Sequence, residues 1–164
     1  MVVVLMGVCG CGKTTVGRML AQELGWTFVD ADDLHPKANV AKMASGVALA
    51  DEDRWPWYDR IVAELRRLTR EGAHVVLACS ALKQGYRDRL AGAGKLRLVY
   101  LKGDAATIEP RLAGRKEHFM PASLLASQFA TLQEPAEAIV VDIAQPAAEQ
   151  VAAIARALRE ELPA

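Results

Sequence analysis

Gly7-Val8-Cys9-Gly10-Cys11-Gly12-Lys13-Thr14 places one glycine, four residues and then Gly-Lys-Thr, the spacing of a phosphate-binding P-loop. The chemistry such a loop supports is anion capture. Glycines let the backbone curl so that successive N–H groups and a helix N-terminus point at phosphate oxygens. Lys13 would reach the β- and γ-phosphates, and the Thr14 hydroxyl would ligate Mg²⁺. The whole run, Gly7 through Thr15, is the expected nucleotide-binding segment, with ATP the expected donor.

A second set of groups follows. In Asp30-Ala31-Asp32, alternation along an extended chain puts both carboxylates on one side, at the carboxyl end of a strand where α/β sheets gather their ligands. Asp30 is expected near Mg²⁺ and its waters, and Asp32 on an acceptor hydroxyl. The bland alternative is a pair capping the next helix, a task Asp33 can also take. No acid ends the run at Cys79-Ser80-Ala81, so either Asp30 takes over the metal or Ser80 helps through water. His35, before Pro36, is by itself an ordinary turn residue.

Cations form the third set. Arg54 follows an acidic run, and its planar fork suits a carboxylate. Lys83, Tyr86 and Arg87 follow a strand and lie near the same crevice, where cations in a mostly apolar chain imply an anionic acceptor; the same spacing fits ordinary surface ion pairs. Arg111 and Arg115 are four apart and share a helix face, in a run that continues to Phe119. Between two strands, such a cluster fits a mobile lid closing over the γ-phosphate, with Lys13, Arg111 and Arg115 neutralising charge. Its alternative is a solvated helix face.

These groups need elements to hold them. Apolar runs over 2–6, 27–30, 75–79, 96–101 and 138–141 read as strands covered on both faces, and they alternate with helical stretches. A helix with Val16, Met19, Leu20 and Leu24 on one stripe follows the loop and ends at Gly25. The longest helix follows Asp51-Glu52-Asp53, with Pro56 in its first turn and Gly72 at its end. The last runs from about 147 to 162. Pro110 predicts a kink or a late start in the helix that Asp104 would cap. The pattern is an α/β P-loop fold of three layers, a five-stranded parallel sheet flanked by helices, as one domain over 1–164. Within it, about 33–60 is the expected acceptor-binding region and about 111–130 the lid.

Composition narrows the function. Twenty basic and twenty acidic residues balance, which argues against a nucleic-acid or membrane-surface binder. No apolar run approaches a membrane span, and the first is too short for a signal peptide. Three cysteines without zinc or disulfide spacing fit free thiols in a reducing cytoplasm.

The order of P-loop, Asp-x-Asp and basic lid is that of small P-loop metabolite kinases. Within that group the chain resembles the gluconokinase family, in Asp30 to Pro36, Lys42 to Gly46, Asp51-Glu52-Asp53-Arg54-Trp55-Pro56-Trp57 and Cys79 to Arg87. The resemblance continues through Tyr100 to Asp104, Arg111 to Phe119, Ser127-Gln128-Phe129, Leu132 to Pro135 and Val141 to Pro146. Cysteines stand at 9 and 11 where the family usually has serines. The resemblance implies a nucleoside- and shikimate-kinase-like fold, and transfer of the γ-phosphate of ATP to the 6-hydroxyl of D-gluconate. It further implies a cytoplasmic homodimer, adenine beside Gln145 and Pro146, and gluconate held by Asp32, His35, Arg54, Lys83, Arg87 and His118.

Overall fold

Val2 to Met6 are apolar without a break because β1 (Val2–Met6) is the middle strand of the sheet, and all five side chains are buried. The computed structural model describes residues 1–114 and 122–161. Val3 and Leu5 pack into one core, and Val2, Val4 and Met6 into a second on the opposite face. One apolar strand thus serves two layers of helices, the reason its hydrophobicity does not alternate.

With β2 (Thr27–Asp30), β3 (Val75–Ala78), β4 (Leu96–Lys102) and β5 (Ile139–Asp142), the order is β2-β3-β1-β4-β5, and every pairing is parallel. The helices are α1 (Lys13–Leu24), α2 (Lys37–Ala44), α3 (Asp51–Arg70), α4 (Gln84–Leu90), α5 (Ala105–Ala113), α6 (Ala122–Thr131) and α7 (Ala147–Glu161). The five expected strands are all present. The two at the sheet's edges, however, are not covered on both faces: β2 is half-buried to exposed, and Val140 in β5 is exposed between Ile139 and the buried Val141.

Gly25 ends α1 in the left-handed region, φ 68°, its N–H bonding back to the carbonyls of Ala21 and Gln22. Helix α3 begins earlier than expected, with Asp51, Glu52 and Asp53 inside its first turn, favourable at a helix N-terminus. Asp53 reaches back to accept from the Ala50 N–H at 2.8 Å. Pro56 therefore lies in the second turn, where it frees the carbonyl of Glu52; both residues are exposed, so water can satisfy it. The same reason accounts for Pro110. Helix α5 starts at Ala105, where Asp104 accepts from the Thr107 N–H at 2.8 Å, and continues past the proline. Pro110 and Ala106, the residue whose carbonyl it frees, are both exposed. A late start is thus not what the chain adopts.

The arginines of α3 at 60, 66, 67 and 70 form its solvent face. No helix among the described residues is long and apolar enough to cross a membrane.

Candidate active site

The loop between β1 and α1 carries the positive backbone angles its glycines permit: φ is 77° at Gly10 and 98° at Gly12. Gly10 also answers to packing, since a Cβ there would lie 2.9 Å from Leu112 Cδ2 on α5. Lys13 Nζ folds back over the loop, donating to the carbonyls of Gly7 at 3.0 Å and Val8 at 3.1 Å. The Cys9 N–H donates to Gln128 Oε1 at 2.7 Å, which ties the loop to α6. Cys11 is buried beneath the loop and Cys9 half-buried; none of the three cysteines is in a disulfide.

Thr14 Oγ1 donates to Asp30 Oδ2 at 2.8 Å, so the loop and the end of β2 meet. The other carboxylate oxygen of Asp30 accepts from the Asp32 N–H at 3.0 Å and turns the chain into a 3-10 helix over Ala31–Leu34. Asp30 rather than Asp33 supplies this cap. Asp32 consequently lies on that short helix instead of alternating along an extended strand, and its side chain is 80% exposed.

His35 closes the turn. Its ring stacks on Trp57, centroids 3.9 Å apart and planes 15° from parallel, and Nε2 lies 4.0 Å from Asp32 Oδ1. Burial, helped by the nearby Arg54 charge, lowers its pKa to about 4, so the ring is neutral at pH 7. Trp57, buried as expected of a packing residue, donates from Nε1 to the Ala31 carbonyl at 2.7 Å.

The acids flanking Arg54 are engaged elsewhere. Asp51 accepts from Tyr86 Oη at 2.5 Å and from Lys83 Nζ at 3.2 Å, and these bonds hold its carboxyl below the usual carboxylate range. Asp53 takes Lys42 Nζ at 2.6 Å. Arg54 itself lies over the Tyr86 ring, 5.5 Å from its centroid, with no carboxylate partner among the described residues.

Two expected substrate ligands have other work in this conformation. Lys83 is paired with Asp51. Arg87 is 4% exposed and all five of its N–H donors are engaged, by the carbonyls of Ala81, Leu82 and Gln133 and by Gln84 Oε1. It braces the β3–α4 loop, in which Ala81 takes the unusual φ of 45° and Ser80 O accepts from the Gly7 N–H at 3.2 Å. Arg111 Nη2 donates to the Ile143 carbonyl at 2.7 Å, on the same β5–α7 connection that carries Gln145 and Pro146. Arg115 and His118 lie outside the described residues. Cys79 is a packing residue, its thiol pushed up to about 12 by burial.

Sequence reasoning missed Asn39 and Gln128 as parts of the site. Asn39 stands four residues after His35, a spacing that across a helix start brings side chains together. Gln128 stands in one of the blocks that carry the family resemblance, but nothing local ties it to the loop, because its partner Cys9 is 119 residues away.

A parallel sheet ordered 2-3-1-4-5, a P-loop after its central strand and an acid facing that loop define a P-loop kinase fold. A model of the AAA domain family matches residues 2–138. A probable gluconokinase of Mus musculus is 45% identical, covering 96% of this chain and 97% of its own. The thermoresistant gluconokinase of Escherichia coli (strain K12) is 46% identical over 87% and 85% of the two chains. A solved gluconokinase from Sinorhizobium meliloti 1021 superposes with a TM-score of 0.84 at 41% identity, covering 96% and 93%. The chain belongs to the gluconokinase family.

Proposed function

We propose that this protein transfers the γ-phosphate of ATP to the 6-hydroxyl of D-gluconate, giving 6-phospho-D-gluconate and ADP. Family membership supplies the substrate pair. The observation that carries the reading is Arg54, a guanidinium whose flanking acids are taken by Lys42, Lys83 and Tyr86, leaving its fork for a carboxylate.

Each group then has a task. The loop from Gly7 to Thr15 holds the triphosphate, with Lys13 leaving its two loop carbonyls for the β- and γ-phosphates. Thr14 and Asp30 are hard oxygen donors 2.8 Å apart and fit a magnesium ion. No cluster of three or more ligating side chains occurs among the described residues, so waters and phosphate oxygens would complete the shell. When bound, Mg²⁺ supplies charge neutralisation at the phosphates. Asp32 orients the acceptor hydroxyl and takes its proton late. The transition state of phosphoryl transfer is loose, so positioning outweighs base strength. His35 contributes as a neutral hydrogen-bonding group on the acceptor. Arg111, Arg115 and His118 belong to the lid in this reading, and Gln145 and Pro146 to the adenine side.

Lys83 and Arg87 enter the reading indirectly, Lys83 by fixing Asp51 beside Arg54 and Arg87 by shaping the loop behind Ser80. The family likeness and balanced charge also support a cytoplasmic homodimer without nucleic-acid or membrane partners; sedimentation of the purified chain tests the dimer. The function is tested by ADP release with Mg-ATP against gluconate, other sugar acids, shikimate and nucleoside monophosphates. Gluconate should be preferred; equal rates across the panel would refute the reading.

A further inference from the structure

Asn39 is 5% exposed, the one buried residue of α2, and its side-chain amide has two neighbours. Nδ2 lies 2.8 Å from the backbone carbonyl of Asp53, on α3. A carbonyl oxygen only accepts, so the amide atom facing it must be the NH₂ and not the oxygen. This fixes the amide orientation. The same NH₂ lies 3.4 Å from His35 Nδ1. With its second hydrogen directed there, Nδ1 must present its lone pair, and in a neutral ring the proton then resides on Nε2.

The ring plane is fixed independently. Trp57 stacks on one face of His35 and is itself pinned by its bond to the Ala31 carbonyl. With plane and tautomer set, the Nε2–H is held on the side of Asp32, whose Oδ1 is 4.0 Å away. That separation is too long for a direct hydrogen bond but suits a bridging oxygen: two bonds of about 2.8 Å meeting at roughly a right angle span it. A hydroxyl placed there donates to the Asp32 carboxylate and accepts from His35.

We propose that Asn39 is a positioning residue that fixes His35 as its Nε2–H tautomer, making His35 and Asp32 a donor–acceptor pair for one hydroxyl of the acceptor. The proposal rests on the functional reading for the identity of that acceptor, and on the contacts above for the tautomer. Under it His35 never acts as a base, because the nitrogen facing the acceptor already carries the proton. A polyol chain satisfies such a pair, whereas a carbonyl group leaves the Asp32 carboxylate unpaired and an alkyl group leaves both members so, and the pair therefore selects for hydroxylated acceptors.

The chain has three histidines, so ring ¹⁵N resonances can be assigned by substitution. In the wild-type protein at pH 7, His35 should show the Nε2–H pattern. In Asn39→Asp the carboxylate replaces the NH₂, and His35 should shift to a form protonated at Nδ1. The KM for gluconate should then rise roughly tenfold, the loss of about one hydrogen bond, with the KM for ATP changed less than twofold. An Nδ1–H tautomer in the wild type overturns the proposal, and needs no variant to fold. So does Asn39→Asp with the wild-type ring signature and an unchanged gluconate KM. Wild-type turnover of gluconate, measured alongside, tests the functional reading separately.

Discussion

Thr14 Oγ1 donates to Asp30 Oδ2 across 2.8 Å, joining the phosphate loop to the end of β2 by a single hydrogen bond. Asp30 accepts from Asp32 with its other oxygen, so one carboxylate links the donor side of the crevice to the acceptor side. Asp30→Asn keeps an acceptor oxygen and should cost less than about 1 kcal/mol in stability, but should raise the Mg²⁺ concentration needed for half-maximal rate. Asp32→Asn should instead lower kcat by roughly 10²–10⁴-fold with little change in the Mg²⁺ requirement. Rate titrations with Mg²⁺ for both variants check this; the same metal-dependent defect in each would merge their roles.

Arg54→Lys should weaken gluconate binding and leave ATP binding intact, because a point charge cannot reproduce a bidentate fork. Isothermal titration with each ligand decides it. An unchanged gluconate affinity would make Arg54 a partner of Tyr86 and nothing more.

Arg87→Met should cost about 1–3 kcal/mol of stability, since it strips the buried Ala81 carbonyl of its side-chain donor, while the Leu82 carbonyl keeps the Gln133 N–H and the exposed Gln133 carbonyl can turn to water. Urea denaturation measures the loss. A cost below about 0.5 kcal/mol, the range of ordinary surface changes, would show that the brace is dispensable.

How far the sequence reached follows from the range of each interaction. The P-loop and its flanking strand and helix were legible because glycine spacing and apolar runs are local, and the five-stranded parallel sheet followed from their alternation. Asp32 was misplaced on an extended strand because the turn beneath it depends on a side-chain bond from Asp30. Arg87 read as a crevice cation because charge is visible in a sequence and engaged carbonyls are not. That Arg54 makes no direct ion pair among the described residues depends on Lys42 and Lys83, brought in from α2 and from the end of the β3–α4 loop to take Asp53 and Asp51.

His35 gives a pH signature. Its folded pKa is depressed from 6.5 to about 4, first by burial and then by Arg54. Below pH 6.5 the unfolded chain takes up a proton that the folded ring refuses, so this group's contribution falls as pH drops from 6.5 to about 4 and is constant below. The depression caps the loss at about 3 kcal/mol. Asp51 and Asp53, with carboxyls held below the usual range by their hydrogen bonds, are common to the wild type and a His35 variant and cancel when the two are compared. The stability advantage of the wild type over His35→Gln should therefore shrink between pH 6.5 and 4.5 in urea denaturation. Parallel curves would mean a ring that protonates normally.

Gluconate-dependent ADP formation is the decisive measurement for the proposed reaction. With Mg-ATP, the wild-type chain should release one ADP for each 6-phospho-D-gluconate formed and almost none without gluconate, and Lys13→Ala should abolish both. ADP release at the same rate with and without gluconate, or undiminished turnover in Lys13→Ala, would contradict it.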